Sequence, residues 1–253
     1  MSLLEVDGLR KSFKGLVALD GVDLTIDRGE VVGLIGPNGA GKTTMFNCMT
    51  GLLEPDDGTV RFGGEDVTGR PSHELANRGL VRTFQNTREL TSMTVAENVK
   101  LAAPGHPGER ATGVFTRPAA VDRHEQQTAD RAAELLELFD LAELTDEYAG
   151  NLSGGQRKLL EIARALMLDP DLLLLDEVFA GVNPTLTNEI MAHIQQLNRD
   201  GMTFLVIEHE IQSLSELVDR MVVLDQGTDL VSGTPDEVLN DGRVINAYFG
   251  GQA

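Results

Sequence analysis

An α/β fold around a mostly parallel sheet is predicted by three features of this 253-residue sequence. Short, wholly apolar runs at 31–36, 172–175, 204–207 and 221–224 have the pattern of strands covered on both faces. Stretches of helical period, at 155–168 and 184–198, stand between them. The first apolar run also passes directly into a glycine-rich loop of the kind that joins a strand to a helix.

The elements follow in order. Val22, Leu24 and Ile26 alternate with Asp23, Thr25 and Asp27, the period of a half-buried strand, before Arg28-Gly29 turns into the run at 31–36. A further strand pattern at 59–62 follows the turn-rich residues 55–58. Residues 102–118 are rich in Gly and Pro and read as a long loop. Ala129, Ala132, Ala133, Leu136 and Phe139 then form one apolar helix face, and Leu159, Leu160, Ala163, Leu166 and Met167 form another. There is no internal repeat and no linker, so residues 1–253 are expected to form a single domain.

Composition removes several function classes. A formal net charge of −19 disfavours nucleic acid as the main partner, because phosphate contacts need clustered Lys and Arg. It equally disfavours adhesion to an anionic membrane through a basic patch. The lone Cys48 forms neither an internal disulfide nor a cysteine metal cluster. No leader pattern and no long apolar run is present, so a soluble intracellular chain is expected, with any membrane role supplied by a partner. Only five Lys stand against the abundance of Asp and Glu. That balance fits either an ordinary soluble acidic surface or a cytoplasm of high salt, where screening makes such self-repulsion tolerable.

The loop after the first apolar run reads Gly36, Pro37, Asn38, Gly39, Ala40, Gly41, Lys42, Thr43, Thr44. This spacing matches a phosphate cradle: glycines let successive amides turn inward, and the following helix points its positive end at the same place. Lys42 is positioned to neutralise β- and γ-phosphates and Thr43 to ligate Mg²⁺, so the chain is expected to bind a nucleoside triphosphate. Asp176, at the end of the run 172–175, is a candidate Mg²⁺ ligand. Glu177 beside it is a candidate general base that polarises the attacking water.

Leu152, Ser153, Gly154, Gly155 and Gln156 precede a helix, and this LSGGQ stretch resembles the signature of ATP-binding-cassette ATPases. The resemblance implies a P-loop NTPase fold of that type. It would have a mostly parallel core at about 1–84 and 165–253, an N-terminal antiparallel β part, and an inserted α-helical lobe at about 85–164. It also implies a head-to-tail dimer in which the signature completes the partner's ATP site, with Asn183 in a loop that crosses the interface. Phe13 matches the aromatic that stacks on adenine. Gln85 matches the glutamine that reaches Mg²⁺ and the attacking water, and His209 the histidine that contacts the γ-phosphate. Two departures stand out: Val178 follows Glu177 where the family usually has Pro, and Asn183 replaces its more common Asp.

The stretches VRTFQN at 81–86, MTVAENV at 93–99 and VINAYFG at 244–250 narrow the resemblance to the larger ATPase of branched-chain amino acid importers. That implies transmembrane permease subunits and a second ATPase, identical or similar, as partners. A solute-binding protein would be engaged indirectly, and the chain would sit on the inner face of the cell membrane. Urea or short-amide importers and soluble ATPases of the same family are the alternatives.

Overall fold

The computed structural model describes residues 2–83, 90–105, 118–208 and 210–249. The chain divides into two compact units. The first comprises Met1–Arg82, Pro170–Ala180 and Ile194–Ala253, and the second Thr83–Asp169 and Gly181–His193.

In the first unit, two long strands, β1 (Ser2–Phe13) and β2 (Leu16–Asp27), pair antiparallel, and β4 (Asp57–Phe62) and β5 (Glu65–Asp66) extend their sheet in the order β2-β1-β4-β5. The alternation read from the sequence is the observed one: Val22, Leu24 and Ile26 are buried and the residues between them are exposed. Between β2 and β4 run β3 (Val31–Ile35) and helix α1 (Lys42–Met49). After β5 come α2 (Ser72–Ala76) and β6 (Leu80–Arg82).

The six-stranded sheet adds β7 (Leu172–Asp176), β8 (Thr203–Ile207), β9 (Arg220–Asp225) and β10 (Thr228–Gly233), in the order β10-β9-β3-β8-β7-β6. All pairings are parallel except that of β9 with β10. Every residue of β3, β7 and β8 is buried, as continuous apolar runs require when both faces are covered. The parallel register brings the carboxyl ends of β3, β7 and β8 to one edge of the sheet, where open α/β sheets bind ligands.

The second unit is helical. It holds α3 (Val95–Lys100), α4 (Pro118–Leu138), α5 (Gly154–Leu166) and the start of α6 (Pro184–Arg199). Thr94 caps α3 through a reciprocal pair of hydrogen bonds with Glu97. On α4 the sequence reading needs one correction: Ala133 faces solvent, and Leu135 is buried together with Ala132, Leu136 and Phe139. The 3.6-residue period fits either set, and the larger side chain takes the inward position because it removes more apolar surface from water. The loop expected at 102–118 lies mostly outside the described residues. Helices α7 (Ile211–Leu217), α8 (Pro235–Leu239) and α9 (Gly242–Phe249) complete the chain. No helix among the described residues is long and apolar enough to cross a membrane.

Arg220 links the two sheets of the first unit. Its guanidinium donates to Glu30 Oε1 at 2.7 Å, to the Thr25 carbonyl at 2.6 Å and to Ser232 Oγ at 3.1 Å. A planar fork satisfies three acceptors that no single ammonium can reach. Arg220→Ala is expected to lower the free energy of unfolding by about 1.5–3 kcal/mol, the range for hydrogen bonds to a charged group. Urea denaturation without nucleotide measures it, and a change below about 0.5 kcal/mol, as for an ordinary surface site, would contradict that role.

Candidate nucleotide-binding site

The turn from β3 into α1 is shaped by two close approaches. Gly36 has φ +153°, and a Cβ there would lie 2.2 Å from the Leu224 carbonyl oxygen of β9. Gly41 has φ +105°, and its Cβ would lie 2.6 Å from the Ala18 carbonyl oxygen of β2. Both obstacles are strand backbone, so only glycine fits. Gly227 donates its amide to the Ala40 carbonyl at 3.0 Å and so holds the same loop from the β9–β10 turn.

Gly41 is also the N-cap of α1 and offers no side-chain cap, which leaves the first-turn amides open toward the loop. Lys42 is buried, with Nζ donating to the Gly36 carbonyl at 2.6 Å and the Pro37 carbonyl at 3.2 Å. Burial pushes its ammonium below the usual lysine range, while the neighbouring carboxylates of Glu177 and Asp176 pull the other way. Three of the expected residues, from one strand end and a helix start, therefore share one electrostatic environment. Thr43 and Thr44 follow in the first turn, with Thr43 exposed.

The two adjacent acids occupy different surroundings. Asp176, the last residue of β7, is 2 % exposed and accepts from Arg82 Nη2 at 2.6 Å. Glu177 is half-buried and has φ +53°, a left-handed conformation that L side chains adopt at a cost of about 1–2 kcal/mol. Its amide donates to the Ile207 carbonyl at 2.9 Å, continuing the β7–β8 ladder into the turn. Val178, where the expected family has Pro, is buried.

Sequence reasoning missed two residues here. The buried Glu208 accepts from the Phe179 amide at 2.8 Å and ties the end of β8 to the turn after Glu177. Arg82, at the end of β6, donates to Asn47 Oδ1 of α1 as well as to Asp176. Each follows an apolar run at the ligand-binding edge of the sheet, the same signal that marked Asp176.

Phe13 closes β1 and is 43 % exposed, with Lys11 Nζ 5.9 Å from its ring centroid. Gln85 and His209 lie outside the described residues. Thr43 and Asp176 are hard oxygen donors of the kind Mg²⁺ takes. Among the described residues no cluster of three His, Cys, Asp or Glu side chains could cage a metal.

The signature residues lie in the second unit. Ser153 caps α5: its Oγ accepts from the Gln156 amide at 3.3 Å, and Gln156 Oε1 accepts from the Ser153 amide at 2.9 Å. This leaves the Gly154 and Gly155 amides at the positive end of the helix. Leu152 is buried. Ser153, Gln156 and Asn183 line one cavity of about 560 Å³ with Phe139, Leu186 and Glu189. Asn183 Oδ1 accepts from the Leu186 amide at 3.0 Å, which caps α6.

The two signature glycines differ in what they do. A Cβ at Gly155 would lie 1.5 Å from Leu186 Cδ2, whereas one at Gly154 would meet nothing within 4 Å. Gly155→Ala is expected to cost about 1–3 kcal/mol through overpacking, and Gly154→Ala less than about 1 kcal/mol in either direction. Thermal unfolding of the two variants side by side measures the difference; equal midpoints would refute it.

Comparison with known proteins agrees with this geometry. A family model described as ABC transporter matches residues 19–180. The high-affinity branched-chain amino acid transport ATP-binding protein BraF of Pseudomonas aeruginosa is 43% identical over 250 residues, 98% of this chain and 98% of BraF. The crystal structure of an ATP-binding cassette of an ABC transporter in its ADP conformation matches with a TM-score of 0.86 and 37% identity, over 99% of each chain. A dimeric cassette in a post-hydrolysis state, bound to ADP and Pi, matches with a TM-score of 0.75 and 26% identity, over 92% of this chain and 98% of the other. With its phosphate loop, paired acids and signature helix, this chain belongs to the ABC transporter family, as an ATPase of the ATP-binding-cassette type.

Proposed function

We propose that the chain is the ATP-hydrolysing subunit of an importer of branched-chain amino acids. The observation that carries this is the 43% identity to BraF across 98% of both chains, and the phosphate loop with Lys42 near Asp176 and Glu177 supports it. Lys42 neutralises the β- and γ-phosphates, the loop amides and α1 amides hold them, and Phe13 stacks on the base. Thr43 and Asp176 would hold Mg²⁺ together with Gln85; the ion, when bound, would offset the charge that develops on the phosphates. Glu177 accepts the proton of the attacking water, and His209 contacts the γ-phosphate.

Two copies, or this chain and a similar ATPase, close head to tail. The Ser153 hydroxyl and the Gly154 and Gly155 amides of one then meet the nucleotide held by the other, and Asn183 lies in the crossing loop. ATP favours the closed dimer because it binds that state better, and hydrolysis removes the bridge. Permease subunits in the membrane convert this cycle into transport, which places the chain at the cytoplasmic face.

Uptake of radiolabelled leucine, isoleucine and valine by cells deleted for the gene tests the proposal. Loss of all three, restored by the wild-type gene, is expected. Unchanged uptake of the three, or loss of urea uptake instead, would contradict the assignment.

The net charge of −19 on each chain opposes closure in dilute buffer. With Mg²⁺ and a non-hydrolysable ATP analogue, the dimer fraction in sedimentation is expected to rise between about 0.1 and 1 M potassium chloride, as the screening length falls from about 10 to 3 Å. A fraction that falls with salt would contradict that electrostatic account.

A further inference from the structure

Arg82 joins the two elements that carry the Mg²⁺ ligands assigned above, and the inference drawn from it rests on that assignment. Its guanidinium donates through Nη2 to Asp176 Oδ2 and through Nη1 to Asn47 Oδ1, each at 2.6 Å. Asn47 lies on α1, whose first turn carries Lys42 and Thr43, and Asp176 ends β7. The guanidinium carbon also lies 5.4 Å from the centroid of the Phe46 ring, which restrains the plane of the fork. The pair is out of water, with side chains 9% and 3% exposed, and Arg82 Nε makes no hydrogen bond among the described residues.

A buried pair of this kind adds little net stability, because desolvation offsets the attraction. What it does supply is geometry. A carboxylate on one Cβ can rotate, and a guanidinium that bonds it through one arm and Asn47 through the other, beside the Phe46 ring, holds it in one orientation relative to α1. Side chains that orient a metal ligand in this way alter metal affinity when they are removed. We propose that Arg82 is a positioning residue for Mg²⁺, fixing the Asp176 carboxylate relative to the first turn of α1.

The direction of the effect separates positioning from charge alone. A cation beside a metal site repels Mg²⁺, so removing a mere neighbouring charge would tighten metal binding. Removing a positioning residue weakens it.

Two measurements on the purified full chain decide. Calorimetry gives ATP affinity with Mg²⁺ and with EDTA, and steady-state assays give the Mg²⁺ concentration for half-maximal hydrolysis at saturating ATP. In Arg82→Gln, ATP affinity in EDTA is expected to stay within about twofold, while half-saturating Mg²⁺ rises about 10- to 100-fold. The gain in ATP affinity that Mg²⁺ confers shrinks with it. Arg82→Lys keeps the charge but not the two-armed bridge, so half-saturating Mg²⁺ is expected to rise there as well. Half-saturating Mg²⁺ that is unchanged or lower in Arg82→Gln overturns the inference. If that variant does not fold, Asn47→Ala, which releases the other arm of the fork, takes its place: a rise supports the inference and no change overturns it.

Asp176→Asn separates this inference from the assignment beneath it. Mg²⁺ dependence lost in Asp176→Asn but intact in Arg82→Gln defeats the role of Arg82 alone. Wild-type Mg²⁺ dependence in Asp176→Asn removes Asp176 as a ligand, and the inference with it.

Discussion

The backbone of β9 and β2 leaves no room for a side chain at Gly36 or Gly41, and the rest of the site depends on that exclusion. The loop lies against the Leu224 and Ala18 carbonyls, and the Gly227 amide holds it there through the Ala40 carbonyl at 3.0 Å. Its amides are therefore fixed before any ligand arrives, and preorganised donors bind without first having to be ordered. Lys42 then enters where a buried ammonium has two loop carbonyls to hold it and two carboxylates nearby.

From that turn, the sheet determines which acid does what. Parallel pairing of β7 with β8 puts Asp176 level with Ile207 at the ligand edge. Asp176 is enclosed and locked by Arg82, which suits a ligand of a fixed ion. Glu177 sits one residue beyond, turned into a left-handed conformation and less buried, which suits a group that must meet water. The strain of that conformation is held by the Ile207 carbonyl before it and by the Glu208 bond to Phe179 after it. Backbone geometry and the Arg82 side chain thus give the adjacent carboxylates different surroundings, which suit the separate tasks proposed for them.

Legibility from sequence followed the strength of each periodic or compositional signal. Buried strands β3, β7, β8 and β9 were plain, because runs such as LLLL at 172–175 have no other comfortable place. The phosphate loop was plain because its glycines, Lys42 and Thr43 follow such a strand. β10 and the short helices α2, α7 and α8 carry no clear period over so few residues, and the sequence reading passed them over. The inward face of α4 was misjudged at one position, where Ala133 and Leu135 compete for the core. Arg82 and Glu208 escaped because a single charge after an apolar run has many meanings until the register shows what it faces. Gly155 was read as a ligand-binding glycine, yet its proximity to Leu186 shows a packing requirement that only three-dimensional neighbours reveal.

The central claim is that Glu177 acts on water while the loop around Lys42 acts on phosphate, and one pair of assays on a single variant tests it most directly. Glu177→Gln keeps the size of the side chain and removes its ability to accept a proton. Hydrolysis lost from Glu177→Gln, with ATP affinity in the presence of Mg²⁺ retained at the wild-type value, is the result this account requires. Hydrolysis at the wild-type rate in that variant would show that another group serves as the base and would contradict the division of labour drawn here.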